Sequence, residues 1–360
     1  VVEIKEILVP GYKKVIEATD KKSKLHGFIA IHDSSLGPAL GGTRMFDYAS
    51  REEALNDVLR LAKGMTYKSA LAEDGLGGGK SVIMGPPSYK TEELLLAFAE
   101  AVNSLKGEYI AAEDVGTSTE DMVILRKKTP YVSALPVERS SGDPSRFTAW
   151  GVYRGIQAVA KTLWHSRSLR HKTILIQGLG HVGAKLADIL FWEGANLILS
   201  DINEKVLHDL SMIYGAKVVK PEDIFKTPCD IFCPCAMGGS INDQTITQLL
   251  CKAVAGSANN QLELPEHGKM LMEKGILYAP DYIINSGGII NVGIEFEPNG
   301  YDPAVARDKV NHIYDRLLVL FQKAKAEGKA TSEVADQIAE YNLRHGIGKR
   351  TQPIVFRAQS

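Results

Sequence analysis

The sequence predicts an α/β chain of two domains, one built on a doubly wound parallel sheet, with a cleft between them. Three observations predict this. The chain has 360 residues, more than the roughly 250 to 300 at which single hydrophobic cores stop growing. Strand and helix signals alternate from about Thr148 to Ala279, the pattern of a parallel sheet covered by helices. Finally, a glycine turn, Gly178-Leu179-Gly180-His181-Val182-Gly183, joins an apolar strand to an amphipathic helix.

The elements follow in chain order. Lys21-Lys22-Ser23-Lys24 reads as a solvated loop. Ser50-Arg-Glu-Glu53 forms a capping box for a helix whose apolar face includes Leu55, Val58, Leu61 and Ala62. A strand is expected at Ser81 to Met84, then a helix from Glu92 to Leu105 with Leu94, Leu95, Phe98 and Val102 inward, then a strand at Tyr109 to Ala112. An apolar helix spans Thr148 to Leu163. After the glycine turn come strands at Asn196 to Ser200 and near Lys217 to Val219, Asp230 to Pro234, Ala253 to Gly256 and Ile276 to Ala279. Asp302 is a good N-cap with Pro303 at the first helical position, opening one long helix to about Ala326, and Ser332 starts the last helix. Because these helices follow the last strand of the sheet, they can pack back on the first domain. The division expected is therefore 1–140 with 330–360 as one domain and 141–329 as the other.

Composition narrows the function classes. A net charge of −1 gives no electrostatic footprint for nucleic acid. No stretch of about 18 apolar residues exists and the N-terminus has no signal-peptide pattern, so a cytoplasmic protein without membrane contact is expected. Three of the four cysteines lie in Cys229-Asp-Ile-Phe-Cys-Pro-Cys235, which reads as a buried strand. Their spacing matches no common zinc pattern, so no metal is expected.

The glycine turn carries the first chemistry. Gly178 permits the tight turn, Gly180 lets the backbone reach a pyrophosphate, and Gly183 allows close helix packing, while the helix N-terminus faces the phosphate charge. The next strand ends at Asp201, near the ~20-residue offset of a carboxylate that accepts from the adenosine ribose hydroxyls. Asp201 repels a 2′-phosphate, and Ile202 and Asn203 follow it with no arginine. The combination favours NAD over NADP and a Rossmann-type domain.

The first half has no second fingerprint, so its glycines need another explanation. Lys80 closes Gly75-Leu-Gly-Gly-Gly-Lys80, where three consecutive glycines leave room for a ligand against the backbone, and Lys68 lies twelve residues earlier. Two lysines beside a glycine wall suit a small anion and a catalytic amine; the lesser alternative is that either one is a surface charge. A P-loop is excluded because β-formers follow Ser81. Asp114 sits just beyond the Tyr109 to Ala112 strand, where open α/β sheets place functional groups, and also where a carboxylate caps the next helix.

Taken together, Gly37-Pro-Ala-Leu-Gly-Gly-Thr-Arg44, Lys63-Gly-Met-Thr-Tyr-Lys68, Gly77-Gly-Gly-Lys80, Glu113-Asp-Val-Gly-Thr117, Pro234-Cys-Ala-Met-Gly-Gly239, Gly256-Ser-Ala-Asn-Asn-Gln261 and Ala279-Pro-Asp-Tyr-Ile-Ile-Asn-Ser-Gly-Gly288 resemble the amino acid dehydrogenases acting on glutamate, leucine, phenylalanine and valine, above all the leucine-acting members. The resemblance spans almost the whole chain in the family's order. It implies a segmented first domain that binds substrate and builds a homo-oligomer, commonly an octamer, and a central NAD domain. It further implies Lys80 as the catalytic lysine, Asp114 as the proton shuttle to the amine, and Lys68 on the substrate carboxylate, with Gly41, Gly42 and Met65 beside it. Leu40, Ala112, Ile289 and Val292 match the apolar side-chain pocket. Besides the glycine turn residues Gly178 to Gly183, with Asp201 and Ile202, the cofactor positions implied are Thr148, Ala236, Ala258, Asn259, Asn260 and Asn285.

Glutamate-acting members carry a lysine for the distal carboxylate at the position of Leu40, so the resemblance implies oxidative deamination of branched-chain L-amino acids to 2-oxo acids and ammonium. A missing methylene is worth only about 1 to 3 kcal/mol in such a pocket, which makes discrimination among leucine, isoleucine and valine modest and leaves phenylalanine open. Two departures stand out. Glu113 adds a charge beside Asp114, where alternation is expected to point it away from the substrate, and Asp74-Gly75-Leu76 differs from the usual aromatic or apolar filling. Two competing classes are a hydroxy-acid dehydrogenase, for which His181 is the one histidine near the nucleotide, and a non-catalytic NAD-binding protein.

Overall fold

The computed structural model describes residues 1–136, 140–354 and 356; residues 137–139, 355 and 357–360 of the expected first domain lie outside that description. Two compact units emerge. The first comprises 1–144, 291–303 and 339–360, the second 145–290 and 304–338. The chain thus returns to the first unit in the short segment 291–303, which sequence reasoning assigned to the central domain, and its final return falls inside the last helix.

The first unit opens with β1 (Glu3–Glu6), β2 (Lys14–Asp20), β3 (Leu25–Asp33) and β4 (Ala39–Phe46), followed by α1 (Arg51–Ala72), β5 (Gly77–Met84), α2 (Glu92–Ser104), β6 (Tyr109–Glu113) and α3 (Thr119–Arg126). The sheet runs β1-β2-β3-β5-β4-β6. β3 pairs antiparallel with β5, while β4 runs parallel to both β5 and β6. β1 to β4 carry no strand signal in the sequence reading; in β4 the pair Gly41-Gly42 depresses strand propensity, and pairing on both sides overrides it. The lysine loop is the β2–β3 turn.

Strand alternation divides this sheet's side chains between two cores. One face sends Ile16, Ile29, Ile31, Met45 and Ile83 against Leu94, Leu95, Phe98 and Val102 of α2 and Met122 and Leu125 of α3. The other sends Val15, Phe28, Ala30 and Val82 against Ala54, Val58 and Ala62 of α1. At the start of α1, Ser50 Oγ accepts from the Glu53 amide, and the Glu53 carboxylate reaches the amide of Ala49 rather than that of Ser50.

The expectation that the glycine triplet leaves space for a ligand is corrected here. A Cβ on Gly78 would stand 2.0 Å from the Thr66 amide nitrogen of α1, and one on Gly79 would meet the Tyr109 ring at 2.8 Å. A Cβ on Gly77 would strike the carbonyl oxygens of Asp33 and Gly37. The glycines let a helix and neighbouring chain approach β5 more closely than any side chain permits.

The second unit contains α4 (Ser145–Trp164), β7 (Thr173–Gln177), α5 (His181–Trp192), β8 (Asn196–Ser200), α6 (Glu204–Tyr214), β9 (Lys217–Val218), β10 (Ile231–Pro234), α7 (Asp243–Gln248), β11 (Ala253–Val254), α8 (His267–Glu273), β12 (Leu277–Tyr278) and α9 (Asp281–Ile284). Then come α10 (Gly287–Gly293), which crosses into the first unit, α11 (Pro303–Asn311), α12 (Ile313–Glu327) and α13 (Thr331–His345). All five pairings are parallel, in the order β12-β11-β10-β7-β8-β9. This is the doubly wound order with its switch point between β7 and β10. The single helix expected from Pro303 to Ala326 divides at His312, whose amide bonds the Lys309 carbonyl three residues back, a tighter turn than the α-helix allows. Of the cysteines read as one buried strand, Cys233 lies in β10, whereas Cys229 and Cys235 flank it and are half-buried. No helix among the described residues is long and apolar enough to cross a membrane.

Candidate active site and nucleotide-binding loops

In the first unit the site grows from one sheet face. β4, β5 and β6 run side by side with Leu40 opposite Gly78 and Ile110, and Gly42 opposite Ala112. Extending the register by two residues sets Lys80 beside Gly42. Alternation therefore puts Leu40, Gly42, Lys80 and Ala112 on the face that packs α1, with Asp114 just past the end of β6 on the same side, and sends Glu113 to the other face. The lysine and the carboxylate meet: Lys80 Nζ is 3.0 Å from Asp114 Oδ2. A Cβ on Gly42 would lie 2.8 Å from Asp114 Cβ and 3.1 Å from Lys80 Nζ, so only glycine leaves this pair room.

Arg44, two residues after Gly42 on β4, also donates to Asp114 Oδ2, through Nε at 3.0 Å. Its second arm donates to Asp57 Oδ2 of α1 at 3.0 Å, and Asp57 accepts as well from the Tyr48 hydroxyl and Arg60. Sequence reasoning missed Arg44, Asp57 and Tyr48. The available signal was the period of two that carries Gly42 into Arg44 on one strand face. Burial raises the proton affinity of Asp114, but the Lys80 and Arg44 cations outweigh it and hold the carboxyl below its ordinary range. The Asp114 turn is fixed by Thr117, whose Oγ1 accepts from the Asp114 amide and donates to the Thr43 carbonyl.

Lys68 and Met65 lie one turn apart on α1, flanking Thr66, the residue that Gly78 packs against; both are half-buried. Gly41 is buried, and its carbonyl accepts from the Tyr109 hydroxyl at 2.7 Å. Leu40 is buried on β4 and Ala112 half-buried on β6. Ile289 and Val292 are buried three residues apart on α10, with Val292 in the first unit and Ile289 in the second.

In the second unit, the residues implied for the nucleotide gather at the carboxyl ends of the strands. Gly178 has φ +94, and its Cβ would lie 2.8 Å from that of Ala236 after β10; a Cβ on Gly183 would stand 2.0 Å from the Gly178 carbonyl oxygen. Gly180 meets nothing within 4 Å and caps α5 with no side-chain acceptor. His181 and Val182 are the first residues of that helix. Leu179 donates its amide to Asp201 Oδ2 at 2.5 Å, and Asn203 donates to Oδ1 at 2.7 Å. Each carboxylate oxygen of Asp201 keeps acceptor capacity for a ribose hydroxyl, and Ile202 beside it is 90% exposed.

The loop after β11 closes the group. The Ala258 amide donates to the Pro234 carbonyl, the Asn260 amide to Asp281, and Asn285 Nδ2 to Asn259 Oδ1 and the Ser257 carbonyl. Asn285 Oδ1 is buried with no hydrogen-bond partner among the described residues, an acceptor suited to an amide donor such as that of a nicotinamide. The open ground over Gly180, the uncapped helix end and this orphaned acceptor fit a dinucleotide. Thr148 lies on α4, half-buried. Replacing Asp201 by serine is expected to weaken NAD binding about 10-fold or more, from loss of charge-assisted hydrogen bonds, and to narrow the preference over NADP. Fluorescence titration with both nucleotides checks it, and an unchanged ratio places the ribose elsewhere.

Two family models match the chain. One, for the Glu/Leu/Phe/Val dehydrogenase dimerisation domain, covers residues 12–131; the other, for glutamate/leucine/phenylalanine/valine dehydrogenase, covers 198–347. A leucine dehydrogenase of Geobacillus stearothermophilus is 51% identical over 92% of this chain and 90% of its own length. A phenylalanine dehydrogenase of Caldalkalibacillus thermarum is 45% identical over 93% and 92%. The crystal structure of L-tryptophan dehydrogenase from Nostoc punctiforme superposes with a TM-score of 0.80 at 40% identity, covering 93% of this chain and 97% of that one.

Proposed function

Because this chain belongs to the Glu/Leu/Phe/Val dehydrogenase family, and is thus an amino acid dehydrogenase using NAD, we propose that it catalyses the reversible oxidative deamination of branched-chain L-amino acids to 2-oxo acids and ammonium. The observation that carries this reading is the Lys80–Asp114 pair at 3.0 Å beside Gly42. An amine and a carboxylate within proton-transfer reach suit a reaction that moves protons both at substrate nitrogen and at water.

Lys68 pairs with the substrate carboxylate. Asp114 takes a proton from the substrate ammonium, leaving the amine lone pair free to form the C=N bond. NAD supplies the hydride acceptor for Cα. Lys80, as the neutral amine, takes a proton from water as the water oxygen adds to the resulting iminium carbon. Asp114 then returns its proton to the nitrogen, and ammonia leaves as the carbinolamine becomes the 2-oxo acid, its hydroxyl proton passing through solvent to the ammonia to give ammonium. The Gly178–Gly183 turn would hold the pyrophosphate and Asp201 the ribose, with Ala236, Ala258, Asn259, Asn260, Asn285 and Thr148 available to the remainder of the dinucleotide.

Substrate choice rests on Leu40. Its aliphatic side chain offers no partner to a distal carboxylate, which disfavours glutamate, and the family resemblance implies Ala112, Ile289 and Val292 as the further apolar positions, suited to branched aliphatic chains. The match of residues 12–131 to a dimerisation-domain model supports a homo-oligomer, and we assign it as an octamer. NADH oxidation at 340 nm with ammonium and a panel of 2-oxo acids tests the substrate reading. Faster turnover of 4-methyl-2-oxopentanoate and 3-methyl-2-oxobutanoate than of the rest is expected. Preference for phenylpyruvate or indolepyruvate instead moves the enzyme to the aromatic branch represented among its relatives, and preference for 2-oxoglutarate removes Leu40 from the substrate pocket.

A further inference from the structure

The two oxygens of the Asp114 carboxylate are not equivalent. Oδ2 receives both cations, Lys80 Nζ and Arg44 Nε, each at 3.0 Å. Oδ1 accepts no hydrogen bond among the described residues, and it is not buried from solvent. Arg44 is itself held from behind: Asp57 takes its other arm, and Tyr48 and Arg60 orient Asp57 from the β4–α1 connection and from α1. Arg44 is 19% exposed and Asp57 14%. The planar guanidinium thus bridges two carboxylates in a fixed orientation, which a flexible lysine cannot reproduce.

We infer that Arg44 is a positioning residue for the deamination reaction, anchoring Oδ2 of Asp114 so that Oδ1 is the oxygen exchanging protons with the substrate amine. The inference rests on the role of Asp114 proposed above. Lys80 alone cannot fix the carboxylate, because it must give up its charge to take a proton from water; in that form Arg44 is the remaining cation that keeps Oδ2 in place and the carboxylate ionised. Asp57 pairs with the second arm of Arg44, so the guanidinium is held between two carboxylates.

The charged groups facing Asp114 are Lys80 from β5 and Arg44 from β4; the buried Tyr109 phenol of β6 lies on the opposite face of the sheet, its hydroxyl bonded to Gly41 and Ser81, and senses the Asp114 charge only through space. Asp57 stands behind Arg44, and Arg60 and Tyr48 stand behind Asp57. Removing Arg44 takes away one of two cations that favour the ionised carboxylate, which raises the proton affinity of Asp114. The acid limb of the pH profile therefore moves to higher pH.

The test is the pH dependence of kcat/KM for the amino acid in wild type, Arg44→Gln, Arg44→Lys and Asp57→Asn, with NAD affinity measured alongside. Arg44→Gln is expected to lower kcat at least 10-fold, to leave the Kd for NAD unchanged and to shift the acid limb upward by about one pH unit. Arg44→Lys should recover part of the shift, keeping the charge but not the fork. Should Arg44→Gln fail to fold, Asp57→Asn carries the test in the opposite direction: without the Asp57 anion the Arg44 charge serves Asp114 alone, and the acid limb moves to lower pH. An active wild type together with an unshifted acid limb in the folded variant overturns the role of Arg44 alone, whereas a wild type silent toward every amino acid overturns the dehydrogenase reading and this inference with it.

Discussion

Replacing Lys80 by alanine is expected to lower kcat by about 10² to 10⁴, the range for removal of a general acid–base group, while leaving the fold and NAD binding intact. The side chain is buried, 6% exposed, and its ammonium contacts Asp114 Oδ2. Losing it does not strand a buried anion, because Arg44 remains on the same oxygen. The Lys80 side chain also lies in the first unit, whereas the glycine turn and Asp201, the residues proposed to hold the dinucleotide, lie in the second, so NAD binding is expected to persist. Steady-state kinetics with thermal unfolding and NAD titration separate these effects. A folded, NAD-binding Lys80→Ala enzyme that keeps most of its turnover removes Lys80 from the water step.

The second large effect is on stability. Gly78→Ala is expected to destabilise the first unit by about 3 kcal/mol or more, beyond the usual range for overpacking, since the added methyl meets the Thr66 amide nitrogen at 2.0 Å and its hydroxyl at 2.2 Å. Neither contact is with a flexible side-chain tip. To relieve it, α1 must lift from β5, and α1 carries Met65 and Lys68 on the turns around Thr66. The denaturation midpoint in urea should fall, and activity should fall with it. Unchanged stability accompanied by a raised substrate KM would restore the view that the triplet leaves space for a ligand.

These outcomes separate what was legible in the chain from what was not. The nucleotide domain was readable because its information is local. A βαβ unit writes its strand, turn glycines, helix and ribose acid within about 30 residues, and the positive φ of Gly178 and the open ground over Gly180 repeat what their spacing implied. The helix from Pro303 was readable as a period but not as a break, because the turn at His312 leaves the apolar spacing almost undisturbed. The strands β1 to β4 went unread; β1 is only four residues long, and in β4 the pair Gly41-Gly42 weakens the local strand signal.

By itself the sequence determined the fold class, the family and the cofactor, because hydrophobic period, turn glycines and motif order are properties of neighbouring residues. Only the tertiary structure decided which groups act together. Arg44 reaches Asp114 across 70 positions and Asp57 across 13, and no periodicity encodes a bond between elements that meet only when β4, β6 and α1 pack. The structure likewise decided that the triple glycine serves the approach of a helix to a strand, because the clash that excludes a side chain at Gly78 exists only once α1 lies across β5.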